Sequence, residues 1–174
     1  MRLILLLFLV LACSPKEIGG LTGKSTDLYK DHEIFDPVIK ISRENRVAIS
    51  SKAEKLTKNL NDNALLSGNV VTDFFDEFGA HMSVLFSDSA TINENSNNFE
   101  AFGNVRVESD SGLTLTTARL IWDNRYRLVL SKDSVRFTTR RQDTLYGIGF
   151  ESDMDLTNWK ITKPHGVTSR WLRK

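Results

Sequence analysis

"LSGNVVTDFF" (66–75) and "AFGNVRVES" (101–109) carry one pattern twice, and a looser copy, "SKDSVRFTT", follows at 131–139. Each copy is followed by an element that mixes small residues with apolar ones: "LFSDSATI" (85–92), "LTTARLIW" (115–122) and "LYGIGFES" (145–152). The unit is two strands, and it recurs about every 30 residues. No single copy is long enough to close a core of its own. Stacked copies must therefore share one interior.

Around the repeats the chain alternates with period 2, the mark of half-buried strands. Met82, Val84, Phe86, Ala90 and Ile92 share one parity, and Asp88 in the same register marks a turn or bulge. Val105 and Val107 alternate with Asn104, Arg106 and Glu108. Ala118, Leu120 and Trp122 alternate with Arg119, Ile121 and Asp123. Val135 and Phe137 alternate with Arg136 and Thr138, and Tyr146, Ile148 and Phe150 with two glycines. Polar clusters at 93–98, 109–112, 123–125 and 131–134 separate these runs as turns. The stretch "SSKAEKLTKNLND" has only Leu56 and Leu60 at helical spacing and reads as strand and turn.

The fold class is therefore all-β. The expected architecture is an open antiparallel β-jelly roll, or folded-over sheet, built from repeated strand pairs. The predicted inward face is Val70, Phe74, Val84, Phe86, Ala90, Ile92, Val105, Val107, Ala118, Leu120, Val135, Phe137, Ile148 and Phe150. Collectively these residues read either as plain core or as a trough held open. Ala90 and Ala118, small residues at matching repeat positions, would leave room for an acyl chain or simply permit close packing.

At the other end of the chain, Arg2 precedes an unbroken apolar run from Leu3 to Leu11. The run suits a secretory signal and is too short to span a bilayer, which needs about 20 residues. Val10-Leu11-Ala12-Cys13 looks like a bacterial lipobox. A small residue precedes the cut, and the thiol of Cys13, the chain's single cysteine, would take the lipid. Residues 1–12 are then a lipoprotein signal peptide, and 13–37 a lipidated N-terminus and flexible tether. Residues 38–162 form the β-domain and 163–174 a basic C-terminal tail. No later segment reads as membrane-spanning.

Composition narrows the function. Lys plus Arg is 23 and Asp plus Glu is 22, for a net charge of +1, so no basic stripe suits nucleic acid. "GGLTGKST" has one residue too few between Gly19 and Gly23 for a phosphate-binding loop, and no strand feeds it. Gly147 and Gly149 lack the third glycine of a dinucleotide fingerprint, since position 152 is Ser. In a strand they mark a bulge or the close approach of another backbone. His32, His81 and His165 show no metal spacing, and Asp153 with Asp155 reads as a solvated turn. No catalytic set, metal or cofactor is implied, and the domain is expected not to be an enzyme.

The lipobox, the pair "LSGNV" and "FSDSATI", the second "GNVRV" and the late "LYGIGFES" together resemble the LptC-type component of the lipopolysaccharide export machine. The wider group includes its periplasmic relative LptA and the OstA-like domain. The resemblance covers roughly 38–162. It implies a periplasmic bridge that passes lipopolysaccharide along an apolar groove. Its partners would be the inner-membrane export permease and ATPase complex and a soluble LptA-like bridge protein. By the same resemblance the docking edge is C-terminal, with Tyr146, Gly147, Gly149, Thr157, Trp159 and Ile161 as its candidates. Many members have an N-terminal transmembrane helix where this chain has Cys13. The implied location is the periplasmic face of the inner membrane. Ser14 is not the aspartate that retains lipoproteins there in enteric bacteria, which leaves the outer membrane as the alternative. A different class is an envelope lipoprotein with a structural or glycan-acting β-domain, and glycan chemistry would need paired carboxylates across a cleft.

Overall fold

The computed structural model describes residues 32–58 and 63–165, all of them strand, turn or loop. Eleven antiparallel strands make one sheet. They are β1 (His32–Phe35), β2 (Val38–Arg43), β3 (Arg46–Lys52), β4 (Lys55–Lys58), β5 (Asn63–Phe75), β6 (His81–Asn93), β7 (Asn98–Ser109), β8 (Thr114–Asp123), β9 (Leu128–Thr138), β10 (Thr144–Ser152) and β11 (Trp159–His165). The order is β1-β4-β5-β6-β7-β8-β9-β10-β11, with β3 on the other half of β5 and β2 beside β3. The sheet thus starts at His32, inside the stretch expected as a tether. The signal segment, Cys13 and the last nine residues of the basic tail lie outside the described residues.

The sheet is folded over its own apolar face. In register, Phe99 pairs with Ile92, and Ile92 with Ala64. Phe74 lies at the far end of β5, which in a flat sheet would put it about 30 Å from that row at 3.3 Å per residue. Its ring nevertheless meets Phe99 at 6.2 Å and Trp122 at 6.3 Å between centroids. Every long strand must therefore bend in its middle. The register shows where: it shifts between Ser67 and Val70, Phe86 and Ser89, Phe102 and Val105, Thr117 and Ile121, and Ile148 and Phe150.

The repeated Gly-Asn supplies that bend. Gly68 and Asn69 have φ of 78° and 44°, and Gly103 and Asn104 have 72° and 45°. Two successive residues in the left-handed region leave the ladder, and the strand turns. A carboxylate from the neighbouring element lies over each glycine. Asn69 Nδ2 donates to Glu54, and Asn104 Nδ2 donates to Asp88 Oδ2 at 2.8 Å. A Cβ on either glycine would overlap that acid.

One layer of the fold holds the first halves of β5, β7 and β9 with the second halves of β6, β8 and β10. The opposite halves make the other layer. Between them Ile49, Leu66, Leu85, Phe99, Leu115, Leu120 and Phe137 are fully buried. Several polar side chains inside are paired, while the Trp122 indole N–H is not. Ser51 and Thr72 hydroxyls lie 2.9 Å apart, Thr117 and Ser131 3.0 Å apart, and Thr117 also donates to Ser134 O at 3.1 Å near the fold line. Such hydroxyls satisfy carbonyls near the bends, so the bends leave few unpaired groups inside.

Candidate functional site

The predicted inward set divides at the bends. Val70, Phe74, Ala90, Ile92, Val105, Val107, Leu120, Val135, Phe137 and Phe150 line the interior. Val84, Phe86, Ala118 and Ile148 do not. On β6 the buried residues are Ser83, Leu85 and Ser87, then Ala90 and Ile92, because the bulge at Asp88 inverts the alternation. Phe86 faces outward and carries the guanidinium of Arg106, 4.4 Å from its ring centre. Ala118 sits on the bulge of β8 and is exposed, so it is no counterpart of buried Ala90. Ile148 precedes the bulge at Gly149 (φ 80°) and is 44% exposed. On β6, β8 and β10 the bulge moves the side chains beyond it to the other face, whereas β5, β7 and β9 keep their parity across the bend.

Outside the fold line, the tips of the two layers are stitched together. Ser83 Oγ donates to Met154 O at 2.8 Å. Ser109 Oγ donates to Asp155 Oδ1 at 3.0 Å, and Ser111 Oγ to Asp155 O at 3.1 Å. Arg127 pairs with Glu77 at 3.3 Å and Arg43 donates to Asn124 O at 3.3 Å, while Arg46 donates to Glu77 O within one layer. The β10–β11 loop is the central piece of this seam. Its Met154 and Leu156 insert into the interior, Leu156 at φ 57° and fully buried. Period-2 reading missed both: Phe150, Ser152, Met154 and Leu156 keep the alternation of β10 past its end, but Asp153 and Asp155 between them read as a solvated turn.

Asp153 holds that loop. Its carboxylate accepts from Thr157 N and Oγ1, both at 2.8 Å, and from Asn158 Nδ2 at 2.6 Å. Partial burial pushes the carboxyl up, but the hydrogen bonds from Asn158 and Thr157 outweigh it and hold the group below the usual carboxylate range. The pair Asp153 and Asp155 is thus a turn cap and a seam acceptor.

The two ends of the folded sheet differ. At the β1/β2 end a cavity of about 370 Å³ opens between the layers. Ile34, Leu56, Ala64 and Ile92 line one side, Ile39 and Ile41 the other, with Lys40 and Lys58 also in its wall. At the β11 end the ring of Trp159 lies 4.7 Å from that of Phe137, packed on the interior and 38% exposed.

Of the predicted docking residues, Trp159 and Ile161 are on the edge strand β11. Tyr146, Gly147 and Gly149 are on β10, which is paired on both sides and so presents no free edge. The backbone that approaches Gly147 closely is the chain's own, since a Cβ there would overlap Ile161 and crowd Lys163 O. Thr157 belongs to the loop capped by Asp153.

Among the described residues no helix is long and apolar enough to cross a membrane, and no group of three or more His, Cys, Asp or Glu is placed to hold a metal ion. The sequence model of a family described as OstA-like protein matches residues 39–159. The search of curated proteins found no match.

Proposed function

Since the chain belongs to the OstA-like protein family, a family associated with lipopolysaccharide transport, we propose that it is an LptC-type carrier and bridge that passes lipopolysaccharide between membranes without doing chemistry on it. The observation that supports this is the folded sheet itself. One continuous apolar interior runs across all the long strands, reached at one end by an apolar cavity and ending at the other at β11, whose outer edge is free among the described residues. An acyl chain of about 12 methylenes gains on the order of 10 kcal/mol on leaving water. A carrier needs an interior of this kind, and the load needs an external energy source to leave it. A partner ATPase in the inner membrane would supply that work.

In this reading the domain is held at the periplasmic face of the inner membrane by a lipid on Cys13. The permease complex faces the β1/β2 end, where Ile34, Phe35 and Val38 are more than half exposed. The soluble LptA-like domain adds its strand to β11. Trp159 closes the exit until that strand arrives. Photo-crosslinking from a probe at Leu66, facing the interior, to labelled lipopolysaccharide tests the carrier, and the expected result is a covalent adduct formed during active export. No adduct from Leu66 or from Val105 would overturn it. Metabolic labelling with a clickable fatty acid tests the anchor, since wild type should take the label and Cys13→Ala should not.

A further inference from the structure

A second opening pierces the seam. A cleft of about 360 Å³ lies between the β2–β3, β5–β6 and β8–β9 turns. Its floor includes Phe74 and Trp122, two residues of the interior, and its rim carries Arg43, Arg46 and Arg127. The rim is not neutralised evenly. Arg127 pairs with Glu77 at 3.3 Å. Asp76 directs a carboxylate oxygen to the backbone N–H groups of Phe78 and Ala80, both at 2.8 Å. Arg46 reaches only a carbonyl, Glu77 O, and forms no ion pair among the described residues. Arg43 reaches Asn124 O and lies 4.0 Å from the highly exposed Glu44 carboxylate. Two guanidiniums therefore retain donors for an anion. On the floor, Trp122 is 3% exposed and its indole N–H has no acceptor among the described residues. A buried donor without a partner is unusual and suits a site that a ligand acceptor completes.

We infer that this cleft is a lateral port for an amphiphile with a phosphate on its head group. Arg43 and Arg46 grip the phosphate oxygens, and the chain passes over Phe74 and Trp122 into the interior. Guanidinium favours phosphate because its planar fork donates two parallel hydrogen bonds. The inference rests on the carrier reading and adds to it a route through the side of the fold and a head-group requirement.

The test uses the full chain in phosphatidylcholine vesicles with two photoreactive lauroyl probes, a lysophosphatidate and its uncharged monoacylglycerol counterpart, each with the label on the acyl chain. Labelled peptides are read by mass spectrometry. The lysophosphatidate should label the segments around Phe74 and Trp122. Arg43→Gln with Arg46→Gln should cut that labelling about tenfold and leave the monoacylglycerol signal unchanged. Trp122→Phe, which keeps a ring but removes the N–H, should lower it several-fold. Equal labelling by both probes, indifference to the arginine pair, or displacement by an equal concentration of inorganic phosphate overturns the port. Labelling of other interior strands with none at the cleft overturns the port alone. Absence of label from the whole interior with both probes overturns the carrier reading as well.

Discussion

Gly103 shows how much one position decides. It has φ 72°, and a Cβ would overlap the Asp88 carboxylate. Gly103→Ala should destabilise the domain by more than about 1 kcal/mol, since alanine pays for a positive φ as well as the overlap. Asp88→Ala in the same chain should relieve the overlap and leave the φ cost. The two changes should then be less than additive in urea denaturation, and strict additivity would show that the acid does not sit over the glycine. Asp153 makes a pH prediction. Its folded-state carboxyl titrates below the unfolded value of about 4. The stability it contributes is present above the unfolded value and is lost as pH falls through the folded one. Asp153→Asn should therefore melt below wild type at pH 7, and the gap should narrow in melts taken progressively below about pH 4. A gap that stays constant to pH 2 would mean that the charge on Asp153 does not hold the loop.

At the scale of elements, β11 is where the bridge reading meets a definite geometry. Pro164 lies opposite Gly147 in the β10–β11 register and has no N–H to give. Its nitrogen side must face away from β10, and alternation gives Lys160 and Thr162 the same facing. Their N–H groups point to the free edge, while that of Ile161 points to β10. Lys160→Pro should therefore weaken capture of the LptA-like domain and leave the melting temperature within a few degrees of wild type. Ile161→Pro should lower the melting temperature, because it removes a ladder bond and disturbs a side chain packed on the core. Pull-down beside thermal melts separates the two, and unchanged capture by Lys160→Pro would remove β11 from the docking surface. The sequence made the strands legible because half-buried strands alternate, and the repeat of Gly-Asn marked equivalent places on β5 and β7. What alternation could not carry across was the bulge. Phe86 and Ser87 exchange faces, and so do Ile148 and its neighbours, because one added residue inverts the pattern without any change in composition. Met154 and Leu156 continue the alternation of Phe150 and Ser152, but polar Ser152 and the flanking Asp153 and Asp155 made the stretch read as a turn.

For the whole molecule, the closed seam sets a condition on any carrier. Phe74, Phe99, Leu120 and Phe137 fill the space between the layers, and Met154 and Leu156 add to it from the loop. An acyl chain can enter only if side chains leave or the layers part. Parting should be the easier route, because the tips are joined by a few hydrogen bonds and the exposed Arg127–Glu77 pair. Such a surface pair contributes at most about 1 kcal/mol. The fold line, by contrast, has a continuous ladder on both sides of each bulge. The layers should thus hinge at the bulges and separate at the tips. Ser109 Oγ and Asp155 Oδ1 lie 3.0 Å apart across the seam, so cysteines at those two positions would face each other. Cys13 is kept, and acylated in the carrier reading it leaves no thiol to compete. The oxidised Ser109→Cys, Asp155→Cys form should melt higher than its reduced form and lose the lipopolysaccharide adduct from Leu66 by tenfold or more, with full recovery on reduction. Should the oxidised form load as well as the reduced one, the layers need not part at Ser109, and the ligand enters through the Arg43–Arg46 cleft or along the strand stack from the β1/β2 cavity. Should the reduced form also fail to load while remaining folded, the disulfide is irrelevant and the interior is a core.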